Sequence, residues 1–237
     1  MYWLFMADKS FQAEKTENVR TRFAPSPSGF LHIGSARTAL FNYLFAKKNN
    51  GKFILRIEDT NPETSKIEYD DDTLNSLQWL GIEWDEGPVA SSQTKNLKFK
   101  AKNYIGEYGP YRQSERGDIY KRYLQRLLDS KMAYYCFCPE EELEAQKQYQ
   151  ISIGEPARYS GKCGKLTEDE TKECLTQKKQ YVIRFRTPEK IIKFRDLIRG
   201  DLEFDTRLIG DFSIAKDSMV PLYNFAVVVD DHEMEIT

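Results

Sequence analysis

The chain has 237 residues, 40% hydrophobic and 30% charged, which is ordinary globular usage and enough for one large domain or two modest ones. A net charge of −2 argues against wholesale coating of nucleic acid but leaves room for a local basic face. No apolar run is long enough for a transmembrane helix, mean hydropathy is −0.64, and four cysteines in so long a chain point to a reducing, cytoplasmic setting with no membrane partner.

Residues 1–18 are polar and aperiodic and read as a flexible extension; the opening Met1–Met6 is too short for a signal core, and Asp8, Glu14 and Glu17 speak against a transit peptide. Val19–Ala24 alternates weakly and predicts a short strand. Two prolines make Pro25–Gly29 a turn. Ile33, Ala36, Leu40, Tyr43 and Leu44 then recur at helical spacing, and Asn49-Asn50-Gly51 stops the helix. Lys52–Glu58 predicts a second strand, completing a strand–turn–helix–strand unit that would open a parallel α/β sheet.

Ser65–Leu80 predicts a helix with an acidic face, closed by Gly81. Residues 89–106 are lysine-rich and read as an exposed loop. Ile119–Lys131 is amphipathic, Ala133–Cys138 is a short aromatic strand, and Pro139 with three glutamates suits a helix N-terminus. Thr167-Glu-Asp-Glu170 has capping-box spacing. Tyr181–Arg186, Ile191–Arg195 and Leu202–Asp205 predict strands of one small sheet, so the central block reads as an inserted domain. The apolar Phe225–Val229 run, close to Thr237, is expected to pack against chain that follows.

Two features carry chemistry. The Pro25–Gly29 turn lies at the carboxyl end of the first strand, where open α/β sheets bind ligands. The helix entering near Ile33 aims its free N–H groups and positive dipole into the same crevice, Gly34 admits a phosphate or ring close to the backbone, and His32 can donate to phosphate oxygens. This is a nucleotide site with chemistry at phosphate. Second, Cys136-Phe-Cys138 and Cys163 can form three corners of a tetrahedral zinc site with a fourth oxygen or nitrogen ligand, while Cys174 lies outside the pattern.

The run Arg22-Phe-Ala-Pro-Ser-Pro-Ser-Gly-Phe-Leu-His-Ile-Gly-Ser-Ala-Arg37 is similar to the first signature of the class I glutamyl-tRNA synthetases, with Ser35 where a second motif histidine would stand. The resemblance continues, in order, through Arg56-Ile-Glu-Asp-Thr60, Gly109–Arg116, Ile198-Arg-Gly200, Tyr223-Asn-Phe-Ala226 and Asp230-Asp-His232. It implies a Rossmann-like α/β catalytic domain of the nucleotidyl-transferase type with an inserted α+β acceptor-binding domain. The first catalytic half would span 19–115, the insertion 116–210, and 211–237 would begin the second half.

The implied reaction is activation of L-glutamate by ATP with Mg2+, then transfer to tRNA(Glu), by a monomer. The resemblance assigns His32, Gly34 and Ser35 to ATP, with His32 and Ser35 catalytic. It assigns Arg22, Ala24, Ser26, Glu58 and Tyr223 to glutamate: Arg22 can grip a carboxylate bidentately and Glu58 can pair with the α-ammonium. Some members hold structural zinc through Cys-x-Cys and either Tyr-x₃-Cys or Cys-x-His; Lys165 stands at the histidine position, so Tyr159 becomes the fourth ligand with Cys136, Cys138 and Cys163. From Arg158 to Arg199 twelve Lys and Arg face six Asp and Glu, and Tyr159, Tyr181 and Phe185 interleave there as candidate stacking surfaces for an acceptor end, with core packing the alternative for Phe185. A short paralogue that glutamylates a modified tRNA base shares the cysteine pattern and stays open as an alternative, as does a non-catalytic tRNA-binding module. Since the family's later Arg-Gly-Glu-Asp-His segment and lysine-rich loop are absent, the isolated chain is expected not to turn over.

Overall fold

A computed structural model describes residues 19–61, 63–89, 103–216 and 220–237. The reading of 1–18 as an extension and the body of the 89–106 loop fall outside them. The chain divides into two compact units: the part up to Gly117 together with Ala226–Thr237, and Asp118–Phe225.

In the first unit, β1 (Arg20–Phe23) pairs in parallel with β2 (Lys52–Leu55), from Arg20↔Lys52 to Phe23↔Leu55. The crossover is α1 (Ile33–Lys48), which ends in Lys47 and Lys48, well placed against the negative end of its dipole. Gly51 is required at the re-entry: a Cβ there would collide with the Val19 carbonyl, which accepts the Lys52 N–H at 2.8 Å. α1 buries Ala36, Ala39 and Ala46, and the small side chains of Ala39 and Ala46 let the helix sit close on Phe23, Phe53 and Leu55. Of the predicted stripe, Ala36 is buried and Tyr43 packs edge-on to Phe53, whereas Ile33 is 86% and Leu44 51% exposed. Periodicity thus found the helix and part of its packed face. α2 (Ile67–Trp79) adds Leu74 and Leu77 to the same core.

The predicted parallel sheet is small here. β1 and β2 make a two-stranded ladder, continued by isolated parallel bridges Ile54↔Glu86 and Ile57↔Arg112. The ends of the 89–106 segment are not loop: β3 (Gly87–Pro88) pairs antiparallel with β4 (Tyr104–Ile105), and Val89, buried, donates its N–H to the Asn103 carbonyl at 3.0 Å.

The second unit opens with α3 (Gly117–Asp129, its first residue in the first unit), which buries Tyr120, Tyr123, Leu124 and Leu127. β5 (Ala133–Cys136), β6 (Val182–Phe185) and β9 (Phe212–Ala215) form one antiparallel sheet in the order β5-β6-β9. β7 (Ile191–Asp196) and β8 (Gly200–Asp205) form a separate hairpin. One expected sheet is therefore two, because β6 is already paired on both edges and leaves β7 and β8 to each other. α4 (Glu140–Ser152) follows Pro139 and carries Glu140, Glu141 and Glu142 in its first turn. α5 (Glu168–Thr176) has the predicted capping box between Thr167 and Glu170.

α6 (Tyr223–Glu233) begins in the second unit and ends in the first. Phe225, Ala226 and Val229 are fully buried within the described residues, so the apolar run has its cover there. Past the helix, Met234 packs against Ile54 and Tyr111.

Candidate functional site

Parallel pairing continues beyond β1. Arg56 donates its N–H to the Phe23 carbonyl at 3.0 Å, and Glu58 donates to the Pro25 carbonyl at 2.9 Å. Arg22, Ala24, Ser26 and Glu58 are thus brought to the carboxyl ends of neighbouring extended segments, where side chains can converge on a ligand. The turn is held from below by α2: Asp72 accepts the Leu31 N–H at 2.9 Å, and the Phe30 and Tyr69 rings meet edge to face at 4.9 Å.

A charge network lies under this rim. Arg22 meets Asp231 with two bonds, Nε to Oδ1 at 3.0 Å and Nη2 to Oδ2 at 3.1 Å. Arg56, with no exposed surface, donates to Asp231 at 2.7 Å and to Glu58 at 2.9 Å, and its Nε lies 3.7 Å from Asp230. Asp230 also takes Arg116 Nε at 2.6 Å and Gln113 Nε2 at 2.8 Å. Buried charges survive only when opposite charges offset their desolvation. Burial works against the charged form of Arg56, yet Asp231, Asp230 and Glu58 outweigh it and raise its pKa. For Glu58 burial prevails and lifts the carboxyl above its usual range, although Arg56 and Arg22 pull it down. Such a carboxylate gains from a cationic partner such as an α-ammonium group.

Alongside is the start of α1. His32 is its N-cap: Nδ1 accepts the Gly34 N–H at 3.1 Å and the Ser35 N–H at 3.4 Å, while Nε2 lies 3.0 Å from Ser35 Oγ. With Nδ1 accepting, the ring proton of the neutral imidazole sits on Nε2, toward Ser35. A Cβ on Gly34 would lie 2.9 Å from His32 Cε1, so the glycine makes room for the folded-back ring as well as for any ligand. The first turn carries no acidic residue, so no carboxylate offsets the positive helix end, although His32 already takes the Gly34 and Ser35 N–H groups.

In the second unit, Cys136, Cys138 and Cys163 bring their sulfurs within 4.8 Å of one another. Cys138 and Cys163 are 3.5 Å apart, and Tyr159 Oη is 3.4 Å from Cys136 and 3.3 Å from Cys138. Tetrahedral zinc with bonds of about 2.3 Å places its sulfurs about 3.8 Å apart, so this donor set fits the ion. Phe137 also donates its N–H to Cys163 Sγ at 3.4 Å, and Cys163 donates its own to Tyr159 Oη at 2.9 Å. Cys163 is delivered by a short turn that Gly161 enters at φ 73°, a left-handed conformation costly for other residues. Burial opposes the Cys136 thiolate, but Tyr159 and Arg184 outweigh it and hold the thiol below its ordinary range; burial pushes Cys138 up to about 12. Cys174 stands on α5, away from the cluster, with Lys179 Nζ 3.8 Å from its sulfur.

Arg22, Ala24, Ser26, Glu58, His32, Gly34 and Ser35 all lie on the first unit; Tyr223 lies in the second, 57% exposed at the start of α6. Two of the suggested stacking residues are committed elsewhere. Phe185 is buried against Phe212, and Tyr159 faces the sulfurs with Arg184 over its ring. Tyr181 is half-buried, edge-on to Tyr135 at 5.0 Å. The Arg56–Asp230–Arg116 core was not foreseen. Its signal was present: an arginine set in the apolar run Phe53-Ile54-Leu55-Arg56-Ile57, and paired aspartates closing the apolar stretch of α6.

Residues 18–237 match the family model for tRNA synthetases class I (E and Q), catalytic domain. The chain is 54% identical over 220 residues to glutamate–tRNA ligase 1 of Caldicellulosiruptor saccharolyticus, covering 92% of this chain and 42% of that protein. It is 51% identical over 218 residues to the glutamate–tRNA ligase of a Sulfurihydrogenibium species, covering 92% and 43%. A crystal structure of a glutamate tRNA ligase from Elizabethkingia meningosepticum in complex with its amino acid superposes with a TM-score of 0.78 at 40% identity, covering 93% of this chain and 43% of that one. The chain therefore spans less than half the length of the relatives it matches.

Proposed function

The chain belongs to the class I tRNA synthetases for glutamate and glutamine, and from that premise we propose that it is the glutamate-activating and acceptor-engaging region of a glutamate–tRNA ligase. The observation that carries this reading is the convergence of Arg22, Ala24, Ser26 and Glu58 on one strand-end rim beside the open N-terminus of α1. In this reading the paired segments belong to a Rossmann-like sheet, residues 116–210 are an insertion within it, and 211–237 begin its second half.

The α-carboxylate of glutamate attacks the ATP α-phosphate, pyrophosphate leaves, and the acyl group then passes to the 3′ end of tRNA(Glu). The protein's part in the first step is to position reactants and offset charge developing at phosphorus. Arg22 exchanges Asp231 for a substrate carboxylate, Glu58 holds the α-ammonium, and Ser26 and the Ala24 backbone supply neutral hydrogen bonds. His32 Nε2 and Ser35, with the positive end of α1 and the open space at Gly34, face the phosphates of Mg2+-bound ATP. A neutral glutamine would leave Arg22 with no anionic partner but Asp231, which is the basis for discrimination.

Zinc would be held by Cys136, Cys138, Cys163 and Tyr159, tying β5 to the Gly161–Lys165 turn. When bound it supplies structure, with no part in the reaction. A non-hydrolysable glutamyl-adenylate analogue tests the main reading by calorimetry on the 237-residue chain. It should bind, the glutaminyl counterpart should bind at least about tenfold more weakly, and Glu58→Gln should weaken the glutamyl analogue. Equal binding of the two analogues, or none by either, refutes it.

A further inference from the structure

Four groups account for the corners of the metal site, but not for the cation beside them. Arg184 stands on β6, opposite Tyr134 of β5, and is 8% exposed. Its guanidinium carbon is 4.0 Å from the centre of the Tyr159 ring. One nitrogen makes a long 3.3 Å bond to the Asp211 carbonyl, and Nε is buried with no hydrogen-bond partner. Among the described residues Arg184 has no carboxylate at ion-pair distance. The Asp211 carboxylate is engaged by the Tyr134 hydroxyl at 2.6 Å and the Thr187 N–H at 2.8 Å. Lys179 and Lys216 line the same depression as Arg184, Cys136 and Cys138, against one carboxylate there, Glu140, so the surroundings add net positive charge.

A buried guanidinium without an anion is costly, and one ring face and one long hydrogen bond recover only part of that cost. The missing anion is adjacent. Three thiolates around one divalent ion leave a net charge of −1, and a phenolate at the fourth corner makes it −2, so an adjacent guanidinium offsets charge in either case. Arg184 touches this shell from two sides: it lies over the face of the Tyr159 ring, whose oxygen meets the sulfurs, and its guanidinium also acts on the Cys136 sulfur.

We infer that Arg184 is the built-in counter-charge of the zinc–thiolate centre, a positioning residue that holds Tyr159 against the metal and neutralises the shell behind it. This rests on the zinc reading above. It predicts an inversion that packing alone would not produce. With zinc bound, removing the charge should weaken the site; without zinc, removing an unpaired buried cation should relieve the fold.

The test uses the 237-residue chain as wild type, Arg184→Met, Arg184→Gln and Arg184→Lys, purified with zinc. Zinc content, the rate of zinc transfer to a chromogenic chelator, and the melting temperatures of loaded and metal-stripped protein are measured. Met and Gln should release zinc at least about tenfold faster than wild type, with Lys in between or close to wild type. Stripped Met or Gln should melt no lower than stripped wild type. Gln carries the comparison if Met does not fold. Unchanged release from both neutral variants, a Lys variant as weak as Met, or equal destabilisation of the stripped and loaded forms overturns the inference and leaves the zinc reading standing. A wild-type chain that retains no zinc overturns both.

Discussion

Arg22 and Asp231, 209 residues apart in the chain, face each other fork to fork at 3.0 and 3.1 Å. Asp231 also receives Arg56 at 2.7 Å. The arginine proposed to grip glutamate is thus aligned by an internal carboxylate, in the geometry a substrate carboxylate would use.

Arg22→Lys keeps the charge and loses the planar fork. Affinity for the glutamyl-adenylate analogue should fall at least about tenfold, while the melting temperature changes little because Arg22 is only half-buried. Calorimetry and a thermal melt separate the two effects. Undiminished affinity would mean that Arg22 serves Asp231 and not the ligand.

Arg56→Met removes the shared partner of Glu58, Asp230 and Asp231 from a site without solvent. Breaking a buried ionic network from one side costs about 3–5 kcal/mol. Urea unfolding followed by circular dichroism should show a loss of that order, and a change below about 1 kcal/mol would contradict the network's role.

Gly34→Ala puts a methyl 2.9 Å from His32 Cε1, so the ring must swing out and its cap bonds are lost. Analogue binding should weaken even though no polar group has been removed. The His32 ring resonances in NMR should shift with it; a ring that stays in place would show that the space is not needed.

Glu86 supplies a pH dependence. Burial opposes its ionisation, but Arg20, Tyr111 and Lys52 outweigh it and lower its pKa from 4.5 to about 2. A depressed carboxyl contributes stability that is fully present above pH 4.5 and lost as pH falls toward about 2. Arg20→Met removes the strongest of these partners, so acid unfolding should begin at higher pH than in wild type. Acid titrations by circular dichroism that coincide would discount the pair.

Much of the site was readable along the chain because it is local. A turn with two prolines between a strand and a helix fixes His32, Gly34 and Ser35 relative to one another through the helix N-cap, whatever the rest does. The capping box of Thr167 and Glu170 is legible for the same reason, as is the delivery of Cys136 and Cys138 by one short segment. Motif order along the chain carries the family as well.

What the sequence could not decide are pairings across long separations. Whether α1 presents Leu44 or Ala46 to the sheet depends on how closely the helix approaches, and Ala39 and Ala46 settled it. Which strands β6 joins depends on competition between edges, and β5 and β9 took both. The partners of Arg56, Arg116 and Arg184 depend on desolvation, which exists only once a core has closed. By itself the sequence determined that a proline turn would join strand to helix and set His32, Gly34 and Ser35 at the helix entry. Tertiary structure alone decided which charges would be buried with it, because burial makes a distant carboxylate, or a cluster of thiols, the necessary neighbour of an arginine.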